Sequence, residues 1–361
     1  MTMKRMLLIS HAFHQKTKSI GFLMDLFMQD YILEACYLDP SQGEDVGDSA
    51  RDITEPVDLV LCIQVVPSQE LLRRFARSRW VYVPMFDFSE TWGLEQWLPF
   101  RNARILSFSK HLTARLVRWG FDVKDVQYFP EPRKVMNWGN EGRVFFWNRV
   151  ESINLTIVDA LLAASTVRSI HVHCSMDPGE TFQAPSDALR RRFEISESQW
   201  FETRDQFTDL MEACSFYIAP RMKEGIGMSF LEAMAHGRCV IAPDHPTMNE
   251  YIIHGENGFL YDPEAPRPLD IRAVRSIQER TLASIEIGRR RWEVDKGNLI
   301  NWCEGQATPR KGQLWFHLAL RVASHPFKAT KPWRRWLVSI RFRHGRLKIH
   351  LFGRTWLGAG T

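Results

Sequence analysis

The first half of the chain alternates short apolar runs with segments of helical periodicity. Buried strands are predicted where apolar runs are bounded by polar loops, at 5–10, 58–64, 80–85 and 104–109. Near-continuous apolar runs of this length are typical of a parallel sheet that is covered on both faces. Apolar residues three and four positions apart predict helices, one after a cap at Ser19 and one that ends near Trp119. This alternation predicts a doubly wound α/β domain.

The same alternation restarts after 128–142, a segment with two prolines and two glycines that has the composition of a linker. Further strands are predicted at 144–148, 169–175, 215–220, 238–243 and 258–263, and helices at 153–165, from Ser229 onwards and around 270–302. Two such domains leave a cleft between the carboxyl ends of their sheets, where nucleotides bind in doubly wound folds. We predict a Rossmann-like domain over 1–132, a second over 133–304 and an extension over 305–361.

The composition is that of a globular protein with a substantial core. The chain has 361 residues, of which 45% are hydrophobic and 25% are charged. No run approaches the roughly 18 apolar residues of a membrane span, and the short apolar start is interpreted as a strand rather than a signal peptide. The six cysteines are scattered without metal-ligand spacing, which predicts reduced and mostly buried thiols, a reducing compartment and no metal.

The net charge of +5 is unevenly distributed. After Glu304 the chain has 12 Lys or Arg and no Asp or Glu, whereas residues 1–304 carry 35 basic against 42 acidic residues, a net charge of −7. Tryptophans alternate with cations at 331–336, as they do at membrane interfaces. Each cation near an anionic surface adds about 1 kcal/mol of binding. We therefore expect an anionic membrane as partner; a nucleic-acid patch and a protein-recruiting module are the alternatives, although no nucleic-acid motif occurs elsewhere.

The end of the extension predicts a β-hairpin. Residues 337–352 alternate on both sides of His344 and Gly345, so that a turn at these two residues pairs 343 with 346 and each further pair outward. In this register the cations share one face and the apolar residues share the other. Because an isolated hairpin is marginally stable in water, its apolar face should pack on the body, a partner or lipid.

Two glutamates, Glu224 and Glu232, flank a glycine-rich turn that leads into an apolar helix. For Glu232 a structural interpretation is available, a capping box with Ser229 as N-cap, and it stays open beside a functional one. Glu224 has no such explanation. It precedes Gly225 and Gly227, where backbone amides can approach a phosphate at a helix start, and its carboxylate is suited to accept hydrogen bonds from sugar hydroxyls. Together these features predict a nucleotide-sugar site.

Residues 220–258 resemble the donor-site signature of the retaining nucleotide-sugar glycosyltransferases of family 4, which have the GT-B fold of two Rossmann-like domains facing a cleft. The E-x7-E spacing, the following G-x-x-V-I-A strand and the closing E-x4-G-x-N-G are all matched. The N-terminal half agrees more loosely, through Ser109-Lys110, Gly120 and residues 128–130.

The resemblance implies that Glu224 contacts the donor sugar, that Glu232 contacts the ribose and that Arg149 neutralises the leaving diphosphate. The other donor-binding positions are Gly225, Ile226, Gly227, Met228, Ser229 and Asn154. Transfer would keep the anomeric configuration by a front-face displacement, in which the departing phosphate helps to deprotonate the acceptor. The resemblance implies no cofactor besides the nucleotide-sugar substrate.

Two positions depart from the family's pattern. The family usually has a lysine five residues after the arginine, where this chain has Asn154; the candidates for the missing charge are Lys16, Lys18, Arg221 and Lys223. The family often has a histidine after a strand in the middle of the first domain, where we place Asp87 as a catalytic stand-in.

The first βα loop, 11–19, is expected to face the cleft, with acceptor- or phosphate-binding roles for His11, His14, Lys16 and Lys18; an ordinary polar loop is the alternative. For His171 and His173 a satisfied core or loop role is expected rather than catalysis.

The sequence thus predicts a cytoplasmic glycosyltransferase that is peripherally bound to the inner face of the membrane. It would add a sugar to a glycan or lipid-linked acceptor of a bacterial-type surface polysaccharide, such as lipopolysaccharide or capsule. One alternative is a catalytically weak GT-B homologue that binds glycan or serves as a scaffold subunit. Another is a soluble enzyme that makes a small glycoside.

Overall fold

The computed structural model describes residues 3–39, 53, 56–324, 338–343, 346–351 and 354–357. Two six-stranded parallel sheets with flanking helices dominate this part of the chain. The first sheet takes its strands from residues 4–125 and the second from residues 140–261. The predicted α/β class with two doubly wound domains is confirmed.

The strands of the first sheet lie in the order β2-β1-β3-β4-β5-β6. They are β1 (Lys4–His11), β2 (Tyr31–Leu38), β3 (Leu59–Ile63), β4 (Arg79–Val83), β5 (Arg104–Ser107) and β6 (Asp122–Asp125). Successive side chains of β1 alternate between two clusters, with Met6 and Leu8 in one and Leu7 and Ile9 in the other. Because both faces are buried, the strand reads as one continuous apolar run.

Helices connect these strands. They are α1 (Ala12–Thr17), α2 (Gly21–Phe27), α3 (Gln69–Arg74), α4 (Phe86–Ser89), α5 (Leu94–Trp97) and α6 (Lys110–Trp119). Ser109 caps α6 by accepting a hydrogen bond from the Leu112 amide at 3.3 Å, and Gly120 ends it at a φ of 93°. The predicted cap at Ser19 is wrong, because the Ser19 hydroxyl bonds the Nδ1 of His14 at 2.8 Å and α2 begins after Ile20.

The second sheet has the order β12-β11-β10-β7-β8-β9. Its strands are β7 (Asn140–Asn148), β8 (Ser169–Cys174), β9 (Glu194–Ser198), β10 (Cys214–Ile218), β11 (Cys239–Pro243) and β12 (Phe259–Tyr261), and its helices are α7 (Leu155–Leu161), α8 (Asp187–Arg192), α9 (Arg204–Glu212) and α10 (Met228–Ala235). The order of connection reverses between β7 and β10. In open α/β sheets, ligands bind in the crevice at the carboxyl ends of such strands.

A 31-residue helix, α11 (Val274–Glu304), runs from the second domain to the first. Its start belongs to the hydrophobic core of the second domain through Val274 and Ile277. Its end lies against the first domain, where the Glu304 carboxylate accepts hydrogen bonds from Lys4 Nζ at 2.6 Å and the Tyr31 hydroxyl at 2.8 Å. The next helix, α12 (Lys311–Ser324), also packs on the first domain through the buried Leu314.

The C-terminal strands β13 (Val338–Arg343) and β14 (Arg346–Leu351) pair antiparallel, from 343 opposite 346 to 338 opposite 351. This is the predicted register, and the hairpin pairing is confirmed; the predicted turn residues His344 and Gly345 lie outside the described residues. A third strand, β15 (Arg354–Leu357), pairs with β14 and was not predicted. Within the described part of the chain, no helix is both long and apolar enough to cross a membrane.

His171 and His173 have the structural role that the sequence predicted. The ring of His171 bonds the hydroxyls of Ser196 and Ser198, at 2.8 and 2.9 Å, and His173 bonds Ser198 at 3.0 Å. Burial lowers the pKa of both histidines to about 4. Five of the six cysteines are buried, and Cys174 is half-buried.

Candidate active site

Charged residues that follow three strands of the second sheet and one strand of the first meet in the crevice at the reversal point of the second sheet. Arg149 follows β7, Asp177 lies after β8, and Arg221 and Glu224 follow β10. Asp87 comes from the opposite domain, in α4, just after β4. We call these five residues the charge cluster. The sequence predicted Glu224, Arg149 and Asp87 as catalytic positions, and the structure brings all three into this cluster.

Asp177 holds the two arginines of the charge cluster together. Its Oδ1 accepts hydrogen bonds from Arg149 Nε at 2.9 Å and Nη2 at 2.5 Å. Its Oδ2 lies 2.6 Å from Nη2 of Arg221. Arg221 also reaches across the cleft, with its Nη1 3.8 Å from Oδ2 of Asp87. The cluster therefore links both domains through alternating charges.

Burial raises the pKa of the Glu224 carboxyl to about 7. Arg221 and Arg149 oppose this shift, and the nearby Asp87 and Asp177 reinforce it. The pKa of Asp87 is also raised, again mainly by burial. None of the described residues bonds the Glu224 carboxylate, although its main-chain carbonyl accepts from the Thr247 hydroxyl at 3.4 Å. The carboxyl therefore changes its protonation state near neutral pH and is available to a ligand.

The glycine turn after Glu224 has steric requirements. A Cβ at Gly225 would lie 2.9 Å from the Met85 sulfur and 3.1 Å from Oδ1 of Asp87, so a glycine here lets the two domains approach closely. Gly227 has a φ of 85°, and a Cβ there would lie 1.9 Å from the ring of Phe230. The buried Ile226 lies between these glycines.

Helix α10 begins at Met228, with Gly227 as its N-cap and Ser229 already inside the helix. The predicted capping box of Ser229 and Glu232 is therefore wrong. Glu232 instead forms an ion pair with Arg204, at the start of α9. The Arg204 side chain is 74% exposed, so the pair contributes little stability.

Asn154 caps α7. Its Oδ1 accepts hydrogen bonds from the amides of Thr156 and Ile157 at 3.0 and 3.2 Å, and its amide group donates to the Glu151 carbonyl at 3.1 Å. Neutral and committed to the helix start, this side chain cannot supply the charge of the family's lysine.

The first loop contains α1 rather than an irregular segment. His11 caps α1, with its Nδ1 accepting from the Phe13 amide at 3.0 Å. His14 is buried, with its ring nitrogens 2.8 Å from Ser19 Oγ and from Gln64 Oε1, and burial lowers its pKa. Lys16 lies over the ring of Trp200 in the opposite domain, 5.9 Å from its centroid. Lys18 ends α1 at a φ of 52°.

Two contacts across the cleft were not predicted. The Glu250 carboxylate of the second domain accepts from Ser109 Oγ at 2.8 Å and from the amides of Lys110 and His111 at 2.7 and 3.0 Å, at the start of α6. Lys223 forms an ion pair with Glu90 of the first domain. Ser109 and Glu250 both lie in matched family positions, but no spacing rule links residues so far apart in sequence.

Comparison with known proteins agrees with this geometry. Residues 178–278 match the family model described as glycosyl transferases group 1. Over 78 residues the chain is 33% identical to an uncharacterized glycosyltransferase of Methanocaldococcus jannaschii. That match covers 22% of this chain and 22% of the relative, so the chain spans about a fifth of the curated relative's length.

Solved structures with the same arrangement of two domains cover most of the chain. HepE of Anabaena, in complex with UDP and glucose, is 16% identical and superimposes with a TM-score of 0.56 over 82% of this chain and 98% of its own. Sucrose-phosphate synthase of Thermosynechococcus elongatus is 13% identical, with a TM-score of 0.59 over 83% and 98%. The lipopolysaccharide outer core galactosyltransferase WaaB is 15% identical, with a TM-score of 0.52 over 80% and 99%. The fold is GT-B, and together with the group 1 match it supports a glycosyltransferase of the GT-B type.

Proposed function

We propose that this protein is a retaining glycosyltransferase that moves a sugar from a nucleotide-sugar to a glycan or lipid-linked acceptor in bacterial-type surface polysaccharide synthesis. The observation that carries the proposal is the charge cluster, which lies beside a glycine turn and a helix start at the reversal point of the second sheet. Amides at a helix start and paired guanidinium groups are suited to a diphosphate. A carboxyl without a protein partner is suited to sugar hydroxyls.

In the proposed reaction, the acceptor oxygen forms a bond to the anomeric carbon on the face from which the nucleotide diphosphate departs. The bond between the anomeric carbon and the phosphate oxygen breaks, and the proton of the acceptor hydroxyl passes to a departing phosphate oxygen. Arg149 stabilises the charge that develops on the diphosphate. Glu224 orients the sugar through its hydroxyls. Asp87 approaches the same place from the acceptor-side domain and orients the acceptor.

The experiment that tests this function measures thermal stability with UDP, GDP, ADP and dTDP and with their sugars. A ligand at a hundredfold excess over its dissociation constant adds about 2.7 kcal/mol of stability. UDP is tested first, since HepE was solved with it. We expect one nucleotide series to stabilise the wild type, Arg149→Ala to lose this gain, and Glu224→Gln to lose only the additional gain from the sugar. A folded wild type that responds to none of these nucleotides would refute the proposal.

The second candidate is a GT-B homologue that binds glycan or scaffolds a complex without transferring sugar. The observation in its favour is the capping role of Asn154, which leaves the family's lysine position without charge. Stabilisation by glycan fragments together with no response to any nucleotide would support this candidate.

The basic extension supports a second proposal, peripheral binding to the cytoplasmic face of an anionic membrane. Residues 325–361 contain nine of the twelve Lys or Arg that follow Glu304. Helix α12 packs on the first domain through Leu314, so a truncation after residue 324 removes these cations while leaving that contact intact.

Vesicle flotation tests this membrane proposal. Full-length protein should bind vesicles that contain phosphatidylglycerol but not pure phosphatidylcholine, and added salt should weaken the binding. The chain truncated after residue 324 should lose this binding and keep its melting temperature. If the truncated chain binds these vesicles as well as the full-length protein does, the extension is not what binds the membrane.

A further inference from the structure

A nucleotide diphosphate carries more negative charge than Arg149 alone can neutralise. Because Asn154 stands at the position of the family's lysine, another residue must supply the second positive charge. Two of the four candidate cations have side-chain partners elsewhere, and a third, Lys18, is exposed at the end of α1. Lys16 lies over Trp200, Lys18 occupies the end of α1, and Lys223 forms its ion pair with Glu90. Arg221 alone among these four shares a partner with Arg149.

We propose that Arg221 is the second phosphate-binding residue of this enzyme and that Asp177 holds the place of the diphosphate when the site is empty. The proposal rests on the proposed donor site. Arg149 and Arg221 approach opposite oxygens of one carboxylate, at 2.5 and 2.6 Å. Two guanidinium groups that converge on one anion form the arrangement that binds phosphate oxygens through paired, charge-assisted hydrogen bonds.

The hydrogen bonds of Arg221 also indicate a missing acceptor. Its Nε is buried and has no hydrogen-bond partner among the described residues. A buried donor without an acceptor costs free energy, and native structures rarely keep one without a reason. The Arg221 side chain as a whole is 26% exposed. A phosphate oxygen in the crevice can therefore reach the exposed part of the guanidinium group.

Position in the fold supports the same assignment. Arg149 follows β7 and Arg221 follows β10, the two neighbouring strands between which the connection order reverses. Both side chains are therefore delivered to the crevice from the two sides of the reversal point. The lysine position of the family lies at the start of α7, where Asn154 now serves only the helix. In this chain the second positive charge therefore follows strand β10, whereas the family's lysine position follows strand β7.

Calorimetric titration with UDP and UMP tests the proposal on Arg221→Ala, Arg221→Lys and Lys223→Ala. Arg221→Ala should weaken UDP binding by about tenfold to a hundredfold, the range for loss of a charged hydrogen-bonding partner, and should weaken UMP binding much less. Arg221→Lys should recover part of the loss because it restores the charge. Lys223→Ala is the matched control, two residues away with the same charge, and should bind UDP as the wild type does.

Asp177→Asn provides a test in the opposite direction. It keeps the shape of the side chain but removes the competing negative charge, so UDP should bind more tightly than to wild type. Weaker UDP binding by this variant, or equal losses for Arg221→Ala and Lys223→Ala, would overturn the assignment while leaving the donor site in place. If the folded wild type binds none of UDP, GDP, ADP and dTDP, the proposed function fails and this assignment fails with it.

Discussion

Substituting alanine at Gly227 should destabilise the protein more than the same substitution at Gly179 or Gly255, two glycines with similar φ values. Gly227 has a φ of 85°, in the left-handed region, which costs a non-glycine residue about 1–2 kcal/mol. Its added Cβ would lie 1.9 Å from Cε1 and 2.6 Å from Cζ of Phe230. The Phe230 ring is fully buried and cannot move aside without disturbing the core around it.

Two glycines separate the backbone cost from the steric one. Gly179 and Gly255 have φ values of 89° and 77°, and nothing lies within 4 Å of a Cβ at either position. Alanine at these sites should cost only the backbone strain, about 1–2 kcal/mol. At Gly227, overpacking against Phe230 adds about 1–3 kcal/mol to the same strain.

Urea unfolding followed by tryptophan fluorescence measures the difference between these variants. We expect the midpoint of Gly227→Ala to fall clearly below those of Gly179→Ala and Gly255→Ala, while the two controls agree with each other. If all three variants unfold at the same urea concentration, the packing of Phe230 beneath the turn does not restrict residue 227 and the steric reasoning is refuted.

Three further outcomes are expected. Glu250→Gln should lower the free energy of unfolding by about 1 kcal/mol, because it removes the charge that caps α6 across the cleft, whereas Glu256→Gln, an exposed acid nearby, should leave urea unfolding unchanged. Because burial raises the pKa of Glu224 from 4.5 to about 7, its contribution to stability is fully present below pH 4.5 and is lost as the pH rises through 7. Glu224→Gln should therefore unfold at higher urea than wild type at pH 8, and this advantage should shrink towards pH 5; a constant advantage would contradict the pKa shift. Asn154→Ala should cost about 1 kcal/mol through the lost helix cap yet keep the wild-type affinity for UDP, and a large loss of affinity would return Asn154 to the donor site.

Regular features of the chain could be predicted because their signals are local. Nine of the twelve strands of the two sheets were predicted from apolar runs, whereas β2, β6 and β9, which are not continuously apolar and buried, were not predicted. The period of two along 338–351 predicted the hairpin register that the structure has. The spacing of Glu224 and Glu232 marked the glycine turn for the same reason. Each of these signals depends on neighbours within a few residues.

The start of α10 shows where a local rule failed. Ser229 followed by Glu232 has the pattern of a capping box, but the left-handed Gly227 starts the helix two residues earlier and Phe230 packs beneath it. A packing contact thus determined the boundary in place of the side-chain cap. The start of α10 would have been predicted correctly from the left-handed turn at Gly227 rather than from Ser229.

Contacts between segments far apart in the sequence could not be predicted, for a different reason. Asp177 lies 28 residues from Arg149 and belongs to no motif, yet it organises both arginines of the site. Glu250 caps a helix of the other domain, 141 residues from Ser109. The partners of Asp177 are defined only when the second domain folds, and those of Glu250 only when the two domains come together. No periodicity or spacing in the sequence encodes either set of contacts.

The path of α11 determines which of the two domains the basic extension is attached to. The helix begins on the second domain, which is the donor side in the proposed function, and ends on the first, which is the acceptor side, and α12 remains there. Every residue beyond α12 is therefore tethered to the acceptor-side half. If the basic extension binds lipid, a lipid-linked acceptor and its domain stay together at the bilayer, and the nucleotide-binding half can tilt towards the cytosol to exchange spent diphosphate for a fresh donor.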